Sequence, residues 1–478
     1  MKKLMMVGGV VLVLAAGFAG AAYWSGAQAE RWYRQMLAEN AKQSGMSMTA
    51  ASYQRGLFSS KAVTRYQITL EESPPAEGPD WSFATREEIY HGPLPIAGWG
   101  VADVPMGVGG AVIRQTLDPD SSAWTRQLAT WYGGREPLVA VTRVGFDGAS
   151  TSQITMPPLE LAKVEQVQSL RFSGLQGQLK MAPRGVVAVG DAKVERLEVV
   201  GQPRADSAGS PSDGPRIQLQ DLTAAVNQRK GAFDLMLGDT RFKIGEVQLQ
   251  DSSSGPVTRI VHLGMEATGA LNAQNPQQVD VDVLWKADQV TAASWSGTGS
   301  VRLALHRLDG ATLSQFQQWY QNTSDHPTDV QILDDMQKLA KTLLRGKPEL
   351  ALDTEAKLAQ GEWRSKLLLN FQDYGDANPL QNPISLLSAL DRGLLDITVT
   401  KSLADTVLAE QIQGMRAAGF VQLQGDHYQS QARFENGRLW VNDREIPLGL
   451  AGGAGQGATG ESGLPEPDAA QEKESAPQ

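Results

Sequence analysis

The chain of 478 residues carries 43 Lys and Arg against 53 Asp and Glu, a net charge of −10, so no surplus of cations is available to neutralise nucleic-acid phosphates. It has no cysteine, which excludes disulfides, thiolate nucleophiles and Cys-bound metal clusters. Hydrophobic residues at 41% and charged residues at 20% describe a chain able to bury a large core rather than a disordered one.

Lys2-Lys3 precede an uncharged run from Leu4 to Trp24. At 1.5 Å per residue it reaches about 30 Å, the thickness of a bilayer's hydrocarbon core. The run predicts one transmembrane helix, with Tyr23 and Trp24 at the interface where amphipathic rings are favoured. Ala16 and Gly20 are small enough to admit a partner helix, so a homodimer through this segment is one expectation. Ala27-Gln28-Ala29 also has the form of a signal-peptidase site, but the apolar run exceeds the usual signal core of about 7–15 residues, and an uncleaved anchor is the preferred reading. Residues 1–29 are therefore expected to be a cytoplasmic stub and signal-anchor. The rest is exported, with a bacterial periplasm as its destination and the inner-membrane bilayer as its first partner.

From Glu30 to about Ser47, Trp32, Met36 and Leu37 keep a helical spacing. The period then becomes two. Ala62, Thr64, Tyr66, Ile68 and Leu70 alternate with Lys61, Val63, Arg65, Gln67 and Thr69. The rhythm recurs at Val279–Trp285, Val301–Leu305, Leu350–Leu358 and Leu367–Phe371. Around Phe242, Ile244, Val247 and Leu249 the apolar parity flips at Gly245, which predicts a bulge. Strands of this kind, separated by Gly-, Asn- and Pro-bearing turns, predict mainly antiparallel sheet with one apolar and one wet face.

Three helical stretches interrupt it: Thr312–Gln321, Thr328–Leu344 ending near Gly346 and Pro348, and Lys401–Ala418. They are expected to cover a face of the sheet. Tyr428–Phe434 leads through Asn436-Gly437, suited to a type I′ turn, into Arg438–Asn442, a predicted hairpin. Val200–Pro215 reads as a flexible segment and 451–478 as a disordered acidic tail rich in Gly and Pro. The fold class is α+β, mainly β: one N-terminal transmembrane helix, then a large, curved, mostly antiparallel sheet at 30–450 partly covered by a few helices.

Chemistry-bearing motifs are scarce. Gly455-x-Gly457-x-x-Gly460 lies in the tail, without the strand and helix that a dinucleotide site requires. Paired acids such as Glu71-Glu72, Glu87-Glu88 and Asp334-Asp335 are sequence neighbours that diverge in space. The histidines at 91, 262, 306, 326 and 427 show no metal-ligand spacing. His91 stands before Gly92-Pro93 and is expected to fix a turn through backbone hydrogen bonds. Tyr53-Gln54-Arg55-Gly56-Leu57-Phe58-Ser59-Ser60 is the other local motif. Gly56 permits a turn, Leu57 and Phe58 supply apolar anchors, Ser59 and Ser60 satisfy turn amides, and Arg55 offers a donor fork to a carboxylate or lipid phosphate.

The Lys-Lys start with its apolar run, the 53–60 motif, His91-Gly92-Pro93, Arg345-Gly346-Lys347-Pro348, and Phe434-x-Asn436-Gly437 with Leu439-x-Val441-Asn442 together resemble the YdgA-like family of bacterial envelope proteins. The resemblance runs from Met1 to about Leu450 and implies an inner-membrane-anchored periplasmic protein of Gram-negative bacteria. It implies no catalytic residues. Tyr53, Arg55, Gly56, Phe58, Ser59, Ser60, His91, Gly92, Pro93, Asn436 and Gly437 are its motif positions, structural or ligand-contacting. The expected function is non-enzymatic, with no metal or cofactor: an envelope protein binding lipid or an envelope component in a β-sheet groove. The alternative is an assembly factor acting through protein contacts, including a homodimer.

Overall fold

A computed structural model describes residues 21–447, except 36, 38–41, 44–45, 69–81, 95, 106, 165–166, 206–210, 213, 253–254, 294, 323–328, 374–386 and 388. The predicted membrane span at 4–24 lies almost wholly outside the described residues, as does the tail at 451–478. Among the described residues no helix is long and apolar enough to cross a membrane.

Residues 21–35 form helix α1, in line with the helical spacing read around Trp32. The chain then enters one antiparallel sheet of 23 strands. Its first part is a meander of β1 (Lys42–Gln43), β2 (Met46–Arg55), β3 (Ser59–Ile68), β4 (Phe83–His91), β5 (Ala111–Leu117), β6 (Val139–Val144) and β7 (Ser150–Met156). β8 (Leu159–Val164) and β9 (Val167–Phe172) form a hairpin, and β7 pairs onward with β10 (Leu175–Met181). β9 and β10 share the long β11 (Val187–Gly201), each pairing with one half of it. Val200 and Gly201, read as flexible from sequence, therefore belong to the sheet, and β12 (Arg204–Ala205) pairs with β13 (Pro211–Ser212) beyond them.

The middle is made of 15-residue strands: β14 (Arg216–Lys230), β15 (Met236–Gln250), β16 (Val257–Leu271), β17 (Gln278–Ala292) and β18 (Trp295–Asp309). Helices α3 (Gly310–Asn322) and α4 (Asp329–Arg345) connect β18 to β19 (Glu349–Leu358), after a short α2 (Ala123–Trp131) between β5 and β6. β20 (Gly361–Phe371) and β21 (Leu390–Thr400) follow. Helices α5 (Lys401–Val407) and α6 (Ala409–Ala417), β22 (Gln422–Gln424), β23 (His427–Glu435), β24 (Arg438–Val441) and β25 (Arg444–Ile446) close the chain. The predicted hairpin is present, with Asn436 at φ 53° and Gly437 at φ 72°, as a type I′ turn requires.

Two expectations are corrected. The parity flip at Gly245 is real, but it is not a bulge. Leu222↔Ile244 and Gln220↔Glu246 keep one register on β14, and Ile244↔Leu263 and Glu246↔Val261 keep one on β16. Instead Asp221 (φ 51°) and His262 (φ 50°) adopt left-handed backbone on either side of Gly245, where a Cβ would lie 3.0 Å from that of Asp221. The flip runs across neighbouring strands in step, so Ile244 and Val247 are both buried. Second, the stretch Lys401–Ala418 is two helices, because Leu408 leaves helical backbone (φ −123°, ψ 22°) and packs with the Val399, Leu403, Ile412 and Tyr428 cluster. That pair covers β20, β21 and β23 as expected. α3 contacts β18, β1 and the turn at Ala232–Asp234, and α3 and α4 contact each other.

In a meander every second connection falls on the same edge. The registers put residues 56–58, 92–110, 145–149, the α3–α4 connection with Gly346 and Lys347, and the Asn436-Gly437 turn on one edge of the sheet.

Candidate functional site

α1 lies along the first strands, and the two sequence motifs 53–60 and 91–93 meet on it. His91, at the end of β4, is 1% exposed. Its Nδ1 is 3.1 Å from the Ala22 carbonyl oxygen and its Nε2 is 3.2 Å from Ser60 Oγ. A carbonyl only accepts, so Nδ1 carries the proton and Nε2 accepts from the Ser60 hydroxyl. Burial lowers the imidazole's pKa, and the ring is neutral. Gly26 lies flat on it: a Cβ there would sit 2.6 Å from Cε1. Gly92 (φ 123°) packs against Ala22.

One turn further along α1, Arg55 at the end of β2 reaches Glu30 Oε2 (3.4 Å), donates to Tyr23 Oη (3.1 Å) and stacks 4.9 Å from the Tyr23 ring centre. Gly56 N–H donates to Ser59 O (2.8 Å), and a Cβ on Gly56 would lie 2.6 Å from that oxygen. Phe58 O accepts from His91 N–H (3.1 Å) and Pro93 O from Gly109 N–H (3.3 Å). Deeper still, Tyr33 bonds Thr64 Oγ1 (2.8 Å) and contacts the Tyr53 ring at 5.2 Å. Burial pushes the Tyr33 hydroxyl up to about 12 and raises that of Tyr53. Tyr33, Leu37, Ala62, Ile89 and Ala111 form the core beneath.

The same strands bury a carboxyl. Glu87 is 5% exposed; Thr85 donates to Oε1, as does Gln115 Nε2 at 3.2 Å, and Gln115 also reaches Tyr66 Oη at 3.1 Å. Burial pushes Glu87 up to about 7, against the opposing hydrogen bond from Thr85. Among the described residues no three His, Asp or Glu side chains converge as metal ligands would.

The long strands carry the second feature. Their registers align three cross-strand rows on one face. The first holds Ala267, Val283, Leu303, Leu352, Leu367 and Leu395. The second holds Phe242, Met265, Trp285 and Val301, and the third Leu263, Ala287, Ala356 and Trp363. The rows are half-buried, and Trp285 and Val301 remain 39% and 38% exposed. Trp285 and Val301 of the second row and Leu263, Ala287, Ala356 and Trp363 of the third line an open trough of about 360 Å³. The opposite face carries cross-strand ion pairs such as Lys243–Glu266 (3.0 Å), Arg259–Glu246 (2.8 Å) and Arg302–Asp282 (2.7 Å).

The structure thus brings Tyr53, Arg55, Gly56, Phe58, Ser59, Ser60, His91, Gly92 and Pro93 together. Asn436 and Gly437 share their sheet edge but sit in the hairpin near its other end. Two local expectations change: Leu57 points outward (47% exposed), and the Ser60 hydroxyl serves His91 rather than a turn amide. His91 does bond backbone, but that of α1 instead of its own turn. Ala22, Gly26, Glu30 and Tyr33, the α1 side of the contact, were not singled out in the sequence, where the small residues of this region read only as room for a partner helix.

The family described as "Bacterial protein of unknown function (DUF945)" matches residues 1–449. Protein YdgA of Escherichia coli (strain K12) is 21% identical over 498 residues, covering 94% of this chain and 95% of that protein. No solved structure matches.

Proposed function

This chain belongs to the DUF945 family, and on that premise we propose that it is a non-enzymatic protein of the bacterial inner membrane, anchored by its N-terminal helix, whose periplasmic sheet binds lipid acyl chains along its apolar face. The observation that carries the reading is the in-register alignment of Val283, Leu303, Leu352 and Leu367 beside the exposed Trp285 and Val301. A soluble sheet normally buries such a face under a second layer; leaving it half-open costs hydrophobic free energy that an acyl chain would recover, at roughly 25 cal/mol per Å² of apolar surface covered.

The anchor reading draws support from α1. Cleavage after Ala29 would cut inside the helix and remove Ala22, Tyr23 and Gly26 from His91 and Arg55. Such a cut would remove both the acceptor of the imidazole Nδ1–H and the glycine that covers the ring, a loss of about 0.5–1.5 kcal/mol for the hydrogen bond alone. The reading therefore expects the mature protein to retain its N-terminus, which intact-mass measurement of membrane-extracted protein checks.

A photocrosslinking residue placed at Val301 and, separately, at Arg302 tests the groove, since neighbouring residues on a strand face opposite sides. In intact membranes position 301 is expected to yield lipid adducts and position 302 none. Protein adducts from 301 without lipid would instead favour an assembly factor acting through protein contacts, and no adducts from 301 would end the lipid reading.

A further inference from the structure

We propose that the connections 56–58, 92–110 and 145–149 form a foot that rests in the bilayer interface beside the anchor, so that the first strands stand upright on the membrane. The proposal rests on the anchor reading given above. The start of α1 is fixed at this edge by the contact of Ala22 with His91 and Gly92, so an apolar segment preceding residue 21 joins the sheet here. Around that point the side chains reverse the usual surface pattern. Trp99 is 77% exposed, Val108 71%, Phe146 63%, Leu57 47% and Leu94 43%, beside Tyr23 and Trp24 at 55% and 59%.

These three connections come from different parts of the chain, and they meet because Ser59, His91, Ala111, Val144 and Ser150 are strand ends on one edge. Within them the only charged residues are Asp103 and Asp147, and Asp147 is engaged as a turn cap, accepting from Ala149 N–H at 3.0 Å. The 92–110 connection is also tied down: Gly92 N–H donates to Gly110 O and Gly109 N–H to Pro93 O. Its Trp and Val side chains are thus held out by a built loop. An exposed Trp with aliphatic neighbours and few charges, next to a membrane-entering helix, is the composition that partitions into the headgroup region.

The absence of native cysteine makes the test direct. Single cysteines at Trp99, Val108, Leu12 and Leu423 are labelled with an environment-sensitive fluorophore. The full chain is then reconstituted in vesicles of phosphatidylethanolamine and phosphatidylglycerol. Labels at 99 and 108 are expected to shift to the blue, to be quenched by nitroxide lipids at headgroup depth and to resist a water-soluble quencher. The label at 423, on the opposite edge of the sheet, is expected to show the reverse. Labels at 99 and 108 that respond only to the aqueous quencher, while the label at 12 is quenched by lipid, would overturn the foot and leave the anchor standing. A label at 12 that also responds only to the aqueous quencher would overturn both.

Discussion

His91 and Ala22, 69 residues apart, are joined by a hydrogen bond from the imidazole Nδ1 to the helix carbonyl, 3.1 Å long and closed off from solvent. That bond and the Ser60 contact on the other ring nitrogen fasten α1 to the sheet through one neutral side chain.

Replacing it should loosen α1. His91→Ala removes a buried ring and strands the Ser60 hydroxyl, a loss of about 2–4 kcal/mol. The pH dependence gives a second readout. Because the folded imidazole titrates below its ordinary 6.5, the unfolded chain takes up the proton first as pH falls, so this contribution is intact above about 6.5 and declines below it. His91→Gln should remove that acid-side decline in the thermal midpoint of the detergent-solubilised protein; an unchanged profile would show that the ring does not titrate with folding.

Glu87 works in the opposite sense. Its folded carboxyl titrates near 7 against an ordinary value of 4.5, so its contribution is most favourable below about 4.5 and is lost as pH rises through 7. Glu87→Gln keeps the shape and removes the charge. At pH 8 it should stabilise the protein by about 1–3 kcal/mol, with little gain at pH 4, as read from denaturant midpoints.

Gly26 leaves no room above the imidazole. Gly26→Ala should raise helix propensity, worth up to about 1 kcal/mol, yet destabilise the assembled contact. Limited proteolysis measures it: cleavage within α1 at 21–35 should quicken in Gly26→Ala, and equal rates would mean that α1 tolerates displacement.

Arg55 and Glu30 are partly exposed, so their pairing is worth little alone. A double-mutant cycle with Arg55→Met and Glu30→Gln should give a coupling of about 0.5–1 kcal/mol that shrinks in high salt. A larger loss on Arg55→Lys than on Glu30→Gln would identify the Tyr23 hydroxyl and ring as the more important partner.

Local pattern carried much of the architecture. The alternation at Val279–Trp285 and Leu350–Leu358, the stripes of α3 and α4, and the Asn436-Gly437 turn all follow from each residue's own preference for a face or a φ angle. Other elements were too short or too mixed to stand out. α2 spans nine residues and starts at a Ser122–Thr125 capping box whose hydroxyls resemble ordinary loop polarity in sequence.

What the sequence by itself determined is therefore a β-rich chain with an apolar N-terminal run and one greasy face per strand. Only the tertiary structure decided which strands share a row, that Leu57 faces out while Ser60 faces His91, and that Gly26 is a seat for an imidazole instead of a gap for another helix. The reason is physical. Periodicity is written in neighbouring side chains, whereas register and docking depend on partners tens of residues away, whose identity no local stretch encodes.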